Sequence, residues 1–577
     1  MLSLVLRDAA ADRWLRFADP VDIVSVSALP DVVPTLRALE ARVNADGLYA
    51  AGFISYDAAP AFDRALASRC DAETPLLWFG LFRAPAVIEV PATIRDAAAL
   101  GWAPSISRPD FDAAIARIKT HIADGDTYQV NYTFRLRATL DQSPWELFCE
   151  LVQAQPTAHA AFIDTGRHAI CSVSPELFFD LDGHTLTCRP MKGTARRGRF
   201  PDEDTARGEW LRTSEKNRAE NVMIVDMIRN DIGRVADVGS VGVTDLFQVE
   251  RYPTVWQMTS TVTGQTDASV ADIIAALFPC ASITGAPKAR TTEIIAALET
   301  TPRGLYTGAI GVIAPHRRAH FSVAIRTVTI DTATHTAEYG VGGGVTWESE
   351  AGDEYDECLA KARVLTERRP PFQLLETMRW SPDDGYVLLD QHLARLAASA
   401  HYFDVPFNEP YARELLSHSA AACDDGSRIV RLLVDGNGAT RCESAPLAAI
   451  REPVRLMLAP SPIDTSDIFL FHKTTHRALY DRARLACPGA DDVVLWNAQG
   501  EITETCIANI VVNLDGTLYT PPISCGLLPG TYRAVLLARG DVRERVITRD
   551  DLARSREIYV VNSVRGGLAA TLVGAPS

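Results

Sequence analysis

The chain has 577 residues, of which 47% are hydrophobic and 23% are charged, and its formal net charge is −16. This length predicts several domain-sized units of a globular protein, at about 100–200 residues per domain. The acidic balance excludes non-specific binding to nucleic acid or to an anionic membrane, because both need basic surfaces. No apolar run reaches the roughly 18 residues that indicate a membrane-spanning helix.

The N-terminal stretch and the cysteines indicate a cytoplasmic protein. "MLSLVLRDAAADRW" reaches charged residues too early for a secretory signal. The 11 cysteines form no CxxC pair and no regular cluster of the kind that a zinc site or a disulfide framework needs. We therefore expect reduced thiols in a reducing compartment.

The elements predicted for the larger, N-terminal part mix helices with many strands. Helical periodicity marks "DFDAAIARIKTHIADGD", which ends on Gly125, and "SEKNRAENVMIVDMIRNDI", for which Ser214 is the predicted N-cap. The predicted strands are "YQVNYTFRLRATL", "HTLTCRPMKGT", "GAIGVIAP", "AHFSVAIRTVTI" and "AEYGVGGGV". Strands in runs, with helices interspersed irregularly, indicate an α+β or layered sandwich fold.

A domain boundary is predicted at "TERRPPFQLLETM", because the adjacent Pro370 and Pro371 stop a helix and favour extended chain. We divide the chain into a domain over 1–367, a linker over 368–371 and a domain over 372–577. The second domain again mixes strands, such as "RIVRLLVD" and "DDVVLWN", with helices, such as "DQHLARLAASAHYF" and "TYRAVLLARG".

Acidic side chains of the first domain form a candidate cation site. Glu176 lies in the predicted strand "SVSPELFFD", and Glu220 lies on the long helix. Glu354 and Glu357 share a helical face with Lys361. Carboxylates from two helices can bind Mg²⁺, which prefers oxygen ligands. Spacing alone favours the alternative, a solvated face with i,i+4 salt bridges.

Glycines and one arginine indicate an anion site in the same domain. "ASITGAPKART" and "YGVGGGVTW" offer backbone N–H groups without side chains in the way, although tight turns are the alternative. Arg326 lies within the predicted strand "SVAIRTVTI", and an inward-pointing arginine there requires a carboxylate from the protein or from a ligand.

Lys192 lies in "CRPMKGTARRGR", which is predicted as a turn between strands. The local sequence leaves three interpretations open for this lysine: a solvated loop charge, an anion ligand or a nucleophile. The arginines that follow it, Arg196, Arg197 and Arg199, are interpreted as loop charges.

These motifs, taken in order along the chain, carry a family resemblance. The ordered set is "GDTYQVNYT", "SPELFF", "PMKGTARRG", "AENVMIVDMIRNDIGRV", "SITGAPKART", "YTGAIG", "AIRTVTI", "VGGGV" and "EYDECLAKA". It resembles the chorismate-utilising enzymes, which include anthranilate synthase component I, aminodeoxychorismate synthase component I, and the isochorismate and salicylate synthases. The resemblance covers roughly residues 50–367 and implies a layered β-sandwich with helices.

The resemblance implies roles for the acidic residues of this region. Glu220 and Glu357 are implied as ligands of Mg²⁺, with Glu354 in support, and the metal would hold the ring carboxylate of chorismate. Glu176 is implied as the general acid near the C4 hydroxyl. The residues implied in binding chorismate are Thr194, Ser282, Tyr306, Arg326, Gly342, Gly343, Gly344 and Lys361.

Two positions, Gln129 and Lys192, discriminate within the family by resemblance, and a third, Gln257, departs from the family pattern. Members that add water have a lysine where this chain has Gln129, so isochorismate and salicylate synthesis are disfavoured. Lys192 stands where anthranilate synthases usually have a small residue, which implies covalent attack by Lys192 on C2 of chorismate and delivery of ammonia to C4. Gln257 replaces a histidine found in many members, so elimination of pyruvate at this site is less expected.

The second domain has its own candidate lysine. Lys473, in "FLFHKTTHRALYDRAR", follows an apolar stretch predicted as a strand and precedes a basic helix, and taken alone it reads as an exposed cation. Its neighbours "LLDQHLARL", "EITETCIANIVV", "GLLPGTYRAVLL" and "VVNSVRGG" resemble fold-type IV pyridoxal-phosphate enzymes: branched-chain and D-amino acid aminotransferases and aminodeoxychorismate lyase. This resemblance covers residues 372–577.

The second resemblance implies a cofactor site. Lys473 would carry the pyridoxal 5'-phosphate, and Glu504 would pair with its ring nitrogen. Arg395, Thr531 and Ser563 would bind its phosphate, partly through backbone N–H groups at a helix start. The opening strand usual in this family is missing. Either the fusion supplies the packing of that strand or the second activity is compromised.

Together the two resemblances imply an enzyme that makes 4-aminobenzoate for folate synthesis from chorismate, with ammonia from a separate glutamine amidotransferase subunit. Magnesium and pyridoxal phosphate are the implied cofactors, and a homodimer through the second domain stays open. The alternatives are an anthranilate synthase component I fused to an aminotransferase, and a ligand-sensing scaffold without catalysis.

Overall fold

The chain of this computed structural model folds into two units. The first consists of Met1–Arg196 and Gly208–Arg369, and the second consists of Arg197–Arg207 and Pro370–Ser577. The structure describes residues 3–70, 74–91, 100–366, 370–422 and 426–574. The predicted linker, 368–371, lies partly outside the described residues.

Strands and helices alternate irregularly up to residue 366, as the sequence predicts. The strands β1 to β20 are Ser3–Asp8, Arg13–Ala18, Asp22–Val26, Tyr49–Ile54, Leu77–Phe82, Ala86–Ile88, Ala103–Pro104, Gln129–Thr139, His159–Asp164, His168–Ser174, Leu177–Asp182, Thr185–Arg189, Met191–Arg196, Gly242–Arg251, Val255–Gln265, Gly285–Ala286, Ala309–Ala314, Arg318–Val323, Thr327–Asp331 and Thr336–Val345. The helices α1 to α9 are Leu29–Asp46, Ala59–Phe62, Arg108–Ala123, Pro144–Ala154, Pro201–Thr213, Glu215–Gly233, Val270–Leu277, Lys288–Leu298 and Ala351–Ala362.

Two antiparallel sheets form the centre of the first unit. One runs in the order β16-β8-β20-β19-β10-β9-β1-β2-β6, and the other in the order β13-β15-β12-β11-β18-β17-β4-β5-β3. Apolar side chains from both sheets, among them Phe17, Phe53 and Ile163, pack into one buried cluster. Helices cover the outer faces: α3, α4, α8 and α9 share a core with the first sheet, and α1, α6 and α7 with the second. The layered sandwich with helices is therefore confirmed.

Local sequence signals explain the best-predicted helices. Helix α6 begins after Ser214, whose hydroxyl accepts a hydrogen bond from the backbone N–H of Asn217 at 3.4 Å. Helix α9 places Glu354, Glu357 and Lys361 on one face, and the Lys361 ammonium lies 2.8 Å from the Glu357 carboxylate.

Three local predictions are wrong. Lys192 lies on β13, not in a turn, because this segment pairs with β15. "AHFSVAIRTVTI" forms two strands, and Arg326 occupies the break between them with a φ of 48°. Glu176 lies in the short connection between β10 and β11, outside either strand. Each depends on pairing between distant strands, which local periodicity does not report.

The elements after residue 370 build the second unit. The strands β21 to β32 are Leu374–Ser381, Gly385–Tyr386, Arg428–Val434, Thr440–Pro446, Val454–Leu458, Asp492–Trp496, Ile502–Thr505, Asn509–Leu514, Thr517–Thr520, Arg543–Glu544, Glu557–Asn562 and Gly566–Leu572. The helices α10 to α14 are Leu389–Phe403, Glu409–Ala421, Ala478–Ala486, Thr531–Arg539 and Arg549–Arg554.

Two further sheets organise this unit. Strands β22-β21-β23-β24 form a small antiparallel sheet, whose core includes apolar residues of α10 and α11. Strands β27-β26-β25-β32-β31-β28-β29-β30 form a mixed sheet with parallel pairing of β25 to β26 and to β32. The apolar stretch before Lys473 was predicted as a strand, but it is a 3-10 turn over Ile468–Leu470.

Across the described ranges, no helix is both long and apolar enough to span a bilayer. The described cysteines are free thiols.

Candidate active sites

The backbone around Lys192 is fixed from both sides. Strand β13 pairs with β15 through an irregular register, and Gly193 within it has a φ of 98°, which a side chain would disfavour. The amide of Asn221 donates to the Lys192 carbonyl at 3.1 Å, and the amide of Gln257 donates to the Gly193 carbonyl at 2.8 Å. The position of Lys192 is therefore held by side chains of α6 and β15.

These supporting residues have partners of their own. The hydroxyl of Ser260 donates to the Asn221 side chain at 2.6 Å, and the hydroxyl of Thr194 donates to Gln257 at 3.0 Å. Thr194, predicted to bind substrate, is thus engaged with Gln257. Sequence reasoning missed Asn221, whose only signal was a polar amide within the predicted helix; the structure shows it fully buried.

The glycine run of β20 forms a wall of the site without side chains. A Cβ added at Gly344 would lie 2.4 Å from both the Lys192 ammonium and the Gln129 side-chain nitrogen. A Cβ added at Gly343 would lie 2.7 Å from a Glu354 oxygen. Lys361 donates to the Gly342 carbonyl at 2.9 Å. The side chains of Lys192, Glu354 and Lys361 therefore all lie against the backbone of Gly342–Gly344.

Gln129 supports a ligand-binding role for this wall. Its side chain is fully buried, and neither amide atom finds a hydrogen-bond partner within the described part of the chain. A buried amide without partners costs free energy of about 1–3 kcal/mol. A polar ligand in front of Gly344 would remove that cost.

Carboxylates surround Lys192. The Glu220 carboxylate lies 3.7 Å from the Lys192 ammonium, and the charge of Lys192 also acts to lower the pKa of Glu176, Glu354 and Glu357. Residues from α6, α9 and the β10–β11 connection therefore share one electrostatic neighbourhood.

Glu176 has the properties of an acid that works near neutral pH. Only 3% of its surface is exposed, and burial raises its pKa to about 7, even though a hydrogen bond from Ser282 at 2.6 Å favours the ionised form. Such a carboxyl is substantially protonated at neutral pH and can donate a proton. Ser282, predicted to bind substrate, here contacts Glu176 directly.

The acidic face of α9 and Glu220 offer carboxylate oxygens, the ligand type that a divalent cation such as Mg²⁺ prefers. Burial raises the pKa of Glu354, and the like charge of Glu357 raises it further. A cation would relieve that repulsion. Within the described residues no three acidic, histidine or cysteine side chains form a ready-made metal cluster. Mg²⁺ commonly completes its shell with waters and substrate oxygens, so two protein carboxylates suffice.

Tyr339 connects Arg326 and Tyr306 with Lys361, because all three act on its pKa. Arg326 donates to the Gln155 side chain, and its burial lowers its pKa. The Tyr306 ring packs against Gly340. The positive charges of Arg326 and Lys361 both act to lower the pKa of Tyr339. The Tyr339 hydroxyl donates to the Lys361 carbonyl at 3.2 Å. Arg326 has no carboxylate partner among the described residues, as a binder of an anionic ligand requires.

In the second unit, Lys473 is an amine with a lowered pKa. Burial lowers its pKa to about 8, and the positive charges of Arg395 and Arg477 act in the same direction. In a substantial fraction of the molecules the Lys473 amine is therefore neutral at mildly alkaline pH. The Lys473 carbonyl accepts a hydrogen bond from Leu375 at 3.0 Å, which anchors it to β21.

Glu504 lies on β27 and is buried. Burial raises its pKa to about 8, against the effect of a hydrogen bond from the Tyr480 hydroxyl at 2.8 Å. The amide of Asn509 lies 3.4 Å from its other oxygen. A buried carboxyl of this kind gains a charged partner when a protonated ring nitrogen binds in front of it.

Arg395, Thr531 and Ser563 converge through residues that the sequence reasoning missed. Glu376 receives two hydrogen bonds from Arg395, at 2.8 and 2.6 Å, and lies 2.6 Å from Nδ1 of His392. Burial alone would raise the pKa of Glu376, but Arg395 and His392 lower it to about 2.

Nε2 of His392 lies 2.8 Å from the Ser563 hydroxyl and 3.3 Å from the Thr531 hydroxyl. Thr531 is the first residue of α13, and a helix N-terminus favours anions. One arginine, two hydroxyls and a helix start are groups that suit a phosphate, although Arg395 here donates to Glu376 and to the Pro529 carbonyl. Together with Lys473 and Glu504 they are the residue types that a pyridoxal phosphate site uses.

Comparisons with known proteins give matches in both parts of the chain. Residues 9–367 match the family described as chorismate binding enzyme, and residues 373–573 match amino-transferase class IV. The chain is 40% identical over 299 residues to aminodeoxychorismate synthase component 1 of Klebsiella aerogenes, which covers 51% of this chain and 64% of that one. It is 41% identical over 263 residues to an anthranilate synthase component 1 of Haloarcula marismortui, covering 45% and 53% of the two chains.

A solved structure is also similar. Anthranilate synthase component I from Streptococcus pneumoniae superposes with a TM-score of 0.54 at 25% identity, covering 63% of this chain and 92% of that one. The chain spans less than two thirds of the length of the two sequence relatives. The chain therefore belongs to the chorismate binding enzyme family and carries a class IV aminotransferase region on its C-terminal side.

Proposed function

We propose that this protein makes 4-aminobenzoate from chorismate in two consecutive reactions. The first unit replaces the C4 hydroxyl of chorismate with an amine, and the second unit eliminates pyruvate from that product. Support comes from the two family matches in one chain and from relatives whose names specify aminodeoxychorismate synthases.

One observation carries the proposal for the first reaction: an amine and a carboxyl with a pKa of about 7 occupy the same electrostatic neighbourhood. Lys192 attacks C2 of chorismate as a neutral amine, and both ring double bonds shift, from C1=C2 to C1=C6 and from C5=C6 to C4=C5, as the C4 hydroxyl leaves. Glu176 donates the proton that makes the departing group water.

Ammonia then adds at C4, both double bonds shift back to C5=C6 and C1=C2, and the Lys192 amine leaves C2. Two displacements thus place nitrogen at C4 and regenerate the lysine. Glu220 and Glu357 would hold Mg²⁺, which would neutralise the ring carboxylate of chorismate. Arg326 and the backbone of Gly342–Gly344 would bind the other carboxylate.

In the second reaction, the residues of the other unit bind and move protons. Arg395, Ser563 and Thr531 would hold the phosphate of pyridoxal phosphate, and Glu504 its ring nitrogen. The cofactor, when bound, supplies an electron sink for the carbanion at C4. Lys473 removes the C4 proton, which its lowered pKa favours near neutral pH. Loss of pyruvate then leaves an aromatic ring.

Ammonia is proposed to come from a separate glutamine amidotransferase, as the "component 1" in the relative's name suggests. Free ammonia should replace this partner at high concentration. The purified chain alone is therefore sufficient for a test.

The test is product analysis. The protein is incubated with chorismate, ammonium and Mg²⁺, with and without pyridoxal phosphate, and the products are separated by chromatography. We expect 4-aminobenzoate with the cofactor and aminodeoxychorismate without it. Anthranilate as the product in both arms would contradict the proposal and support the main rival. That rival is favoured by the similarity to the Haloarcula anthranilate synthase.

A further inference from the structure

The second unit contains a short segment from a distant part of the sequence. Arg197–Arg207 belongs to this unit, although in sequence it lies within residues 9–367, the region that matches the chorismate binding enzyme family. It begins directly after β13, the strand of Lys192. The arginines of this stretch were interpreted as loop charges, and for Arg197 that interpretation is wrong.

The segment has a built interior. Both nitrogens of one edge of the Arg197 guanidinium donate to the Asp204 carboxylate at 2.7 Å, with 5% and 7% of the two side chains exposed. The N–H of Gly198 donates to the same carboxylate at 2.8 Å, and a Cβ at Gly198 would lie 2.1 Å from the Asp204 nitrogen. A buried bidentate pair of this kind fixes geometry.

Tyr402, near the end of α10, connects this segment to the rest of the unit. The Arg197 guanidinium lies 4.5 Å from the centre of the Tyr402 ring and donates to the Tyr402 carbonyl at 3.1 Å. The Tyr402 hydroxyl donates to the Gly198 carbonyl at 2.7 Å. One side chain therefore makes contacts through its ring, its hydroxyl and its backbone.

The contacts continue to both residues that precede Lys473. The rings of Tyr402 and His472 are 4.3 Å apart, and the Ser399 hydroxyl lies 3.0 Å from Nδ1 of His472. The rings of Phe200 and Phe471 are 5.5 Å apart. The backbone that enters Lys473 is thus packed against Arg197–Arg207, directly and through Tyr402.

We propose that the Arg197–Arg207 segment positions Lys473 for its bond to pyridoxal phosphate, acting through the Tyr402–His472 and Phe200–Phe471 ring contacts. Arg197, Tyr402 and Phe200 are positioning residues that contact neither substrate nor cofactor. The inference rests on the cofactor role proposed for Lys473. It also identifies packing that residues within 9–367 supply to the second unit.

Position matters here because a covalent bond requires the amine to meet the carbonyl carbon at a defined distance and angle. A displacement of about 1 Å costs roughly 100-fold in rate. The residues before Lys473 form a 3-10 turn over Ile468–Leu470, and backbone pairing with β21 begins only at Lys473, whose carbonyl accepts from the N–H of Leu375. Ring packing holds the two residues in between, Phe471 and His472.

The test uses full-length variants loaded with pyridoxal phosphate. Tyr402→Leu removes both the ring and the hydroxyl, whereas Tyr402→Phe keeps the ring contact with His472. Three quantities are measured: the dissociation constant of the cofactor, the pH midpoint of the absorbance band of the lysine-bound cofactor, and the thermal unfolding midpoint. Arg455→Met is the matched control, since Arg455 pairs with Asp491 in the same unit.

We expect Tyr402→Leu to weaken cofactor binding by about tenfold or more and to move the pH midpoint, with Tyr402→Phe and Arg455→Met close to the wild type. Amination of chorismate should continue in all of them. A folded Tyr402→Leu protein with wild-type affinity and midpoint would overturn the inference. If that variant unfolds, Phe200→Ala is judged by the same two readouts.

Failure of the inference is distinguishable from failure of the proposed function. A wild-type protein that binds no pyridoxal phosphate, or a Lys473→Ala variant that keeps the same absorbance band, would overturn the cofactor role itself. Wild-type readouts in a folded Tyr402→Leu variant, or in Phe200→Ala where Tyr402→Leu unfolds, would overturn the positioning role alone, provided that the band is lost in Lys473→Ala.

Discussion

Lys192 lies among carboxylates, whereas positive groups act on Lys473. The Glu220 carboxylate is 3.7 Å from the Lys192 ammonium, while burial, Arg395 and Arg477 lower the pKa of Lys473 to about 8. Two carboxylates, Glu376 and Glu504, act on Lys473 in the opposite direction but do not cancel this effect. In the proposed mechanism both lysines react as amines, so the difference between their neighbours offers a way to test the two roles separately.

Removing either amine should have the largest effect, and each removal should stop a different reaction. Lys192→Ala is expected to slow amination of chorismate by about 1000-fold or more, the scale of losing a covalent group. Lys473→Ala should leave amination intact and stop formation of 4-aminobenzoate, so that aminodeoxychorismate accumulates. Both are measured by chromatography of the products.

Lys192→Arg separates a nucleophile from an anion ligand. The guanidinium keeps the positive charge but stays protonated, so it cannot attack C2. We expect it to be as inactive as Lys192→Ala. A wild-type rate in Lys192→Arg would mean that Lys192 binds an anion.

Gly344→Ala should have the next largest effect, and it should slow only the reaction of the first unit. The new methyl group would lie 2.4 Å from the Lys192 ammonium and from Gln129, so the amine must move. We expect amination to slow by about 100-fold, with elimination of pyruvate from added aminodeoxychorismate unchanged. Gly233→Ala, where nothing lies within 4 Å, is the control and should behave as the wild type.

The pH dependence of amination tests Glu176. Its pKa of about 7 means that the donating, protonated form decreases as the pH rises through 7, so the rate should fall on the alkaline side. Glu176→Gln should be slower by roughly 100-fold or more and should lose this alkaline limb. A limb that persists in Glu176→Gln belongs to another group.

Ser282→Ala should have the smallest effect. The Ser282 hydroxyl donates to Glu176 and lowers its pKa, so removing it should raise that pKa further. We expect the alkaline limb to move to higher pH by about one unit, with a smaller loss of rate than Glu176→Gln causes. A shift toward lower pH would mean that Ser282 favours the protonated carboxyl.

The features predicted well from sequence are those that local rules determine. Helix α6 follows from its periodicity and from the Ser214 cap, and the shared face of Glu357 and Lys361 follows from helical spacing. The layered fold and the two families follow from many motifs in order. Each motif alone is weak evidence, and the order of the motifs along the chain identifies the families.

Other features depend on partners far away in sequence. Lys192 lies on a strand because β15, about sixty residues later, pairs with it, and Arg326 breaks a strand where the chain passes from one sheet to the other. Glu376 and His392 did carry signals: an acid inside an apolar strand, and a histidine one turn before Arg395. Their meaning needed the 2.6 Å contact between them.

The origin of Arg197–Arg207 has a consequence for how this chain can be divided. A gene cut at the two prolines would give a C-terminal polypeptide without the piece that packs beside Phe471 and His472. The boundary of sequence similarity and the boundary of the folded unit are therefore different lines. Recombination at the boundary of sequence similarity would therefore transfer a second unit without Arg197–Arg207. A second unit moved to another protein would need other residues to replace this packing.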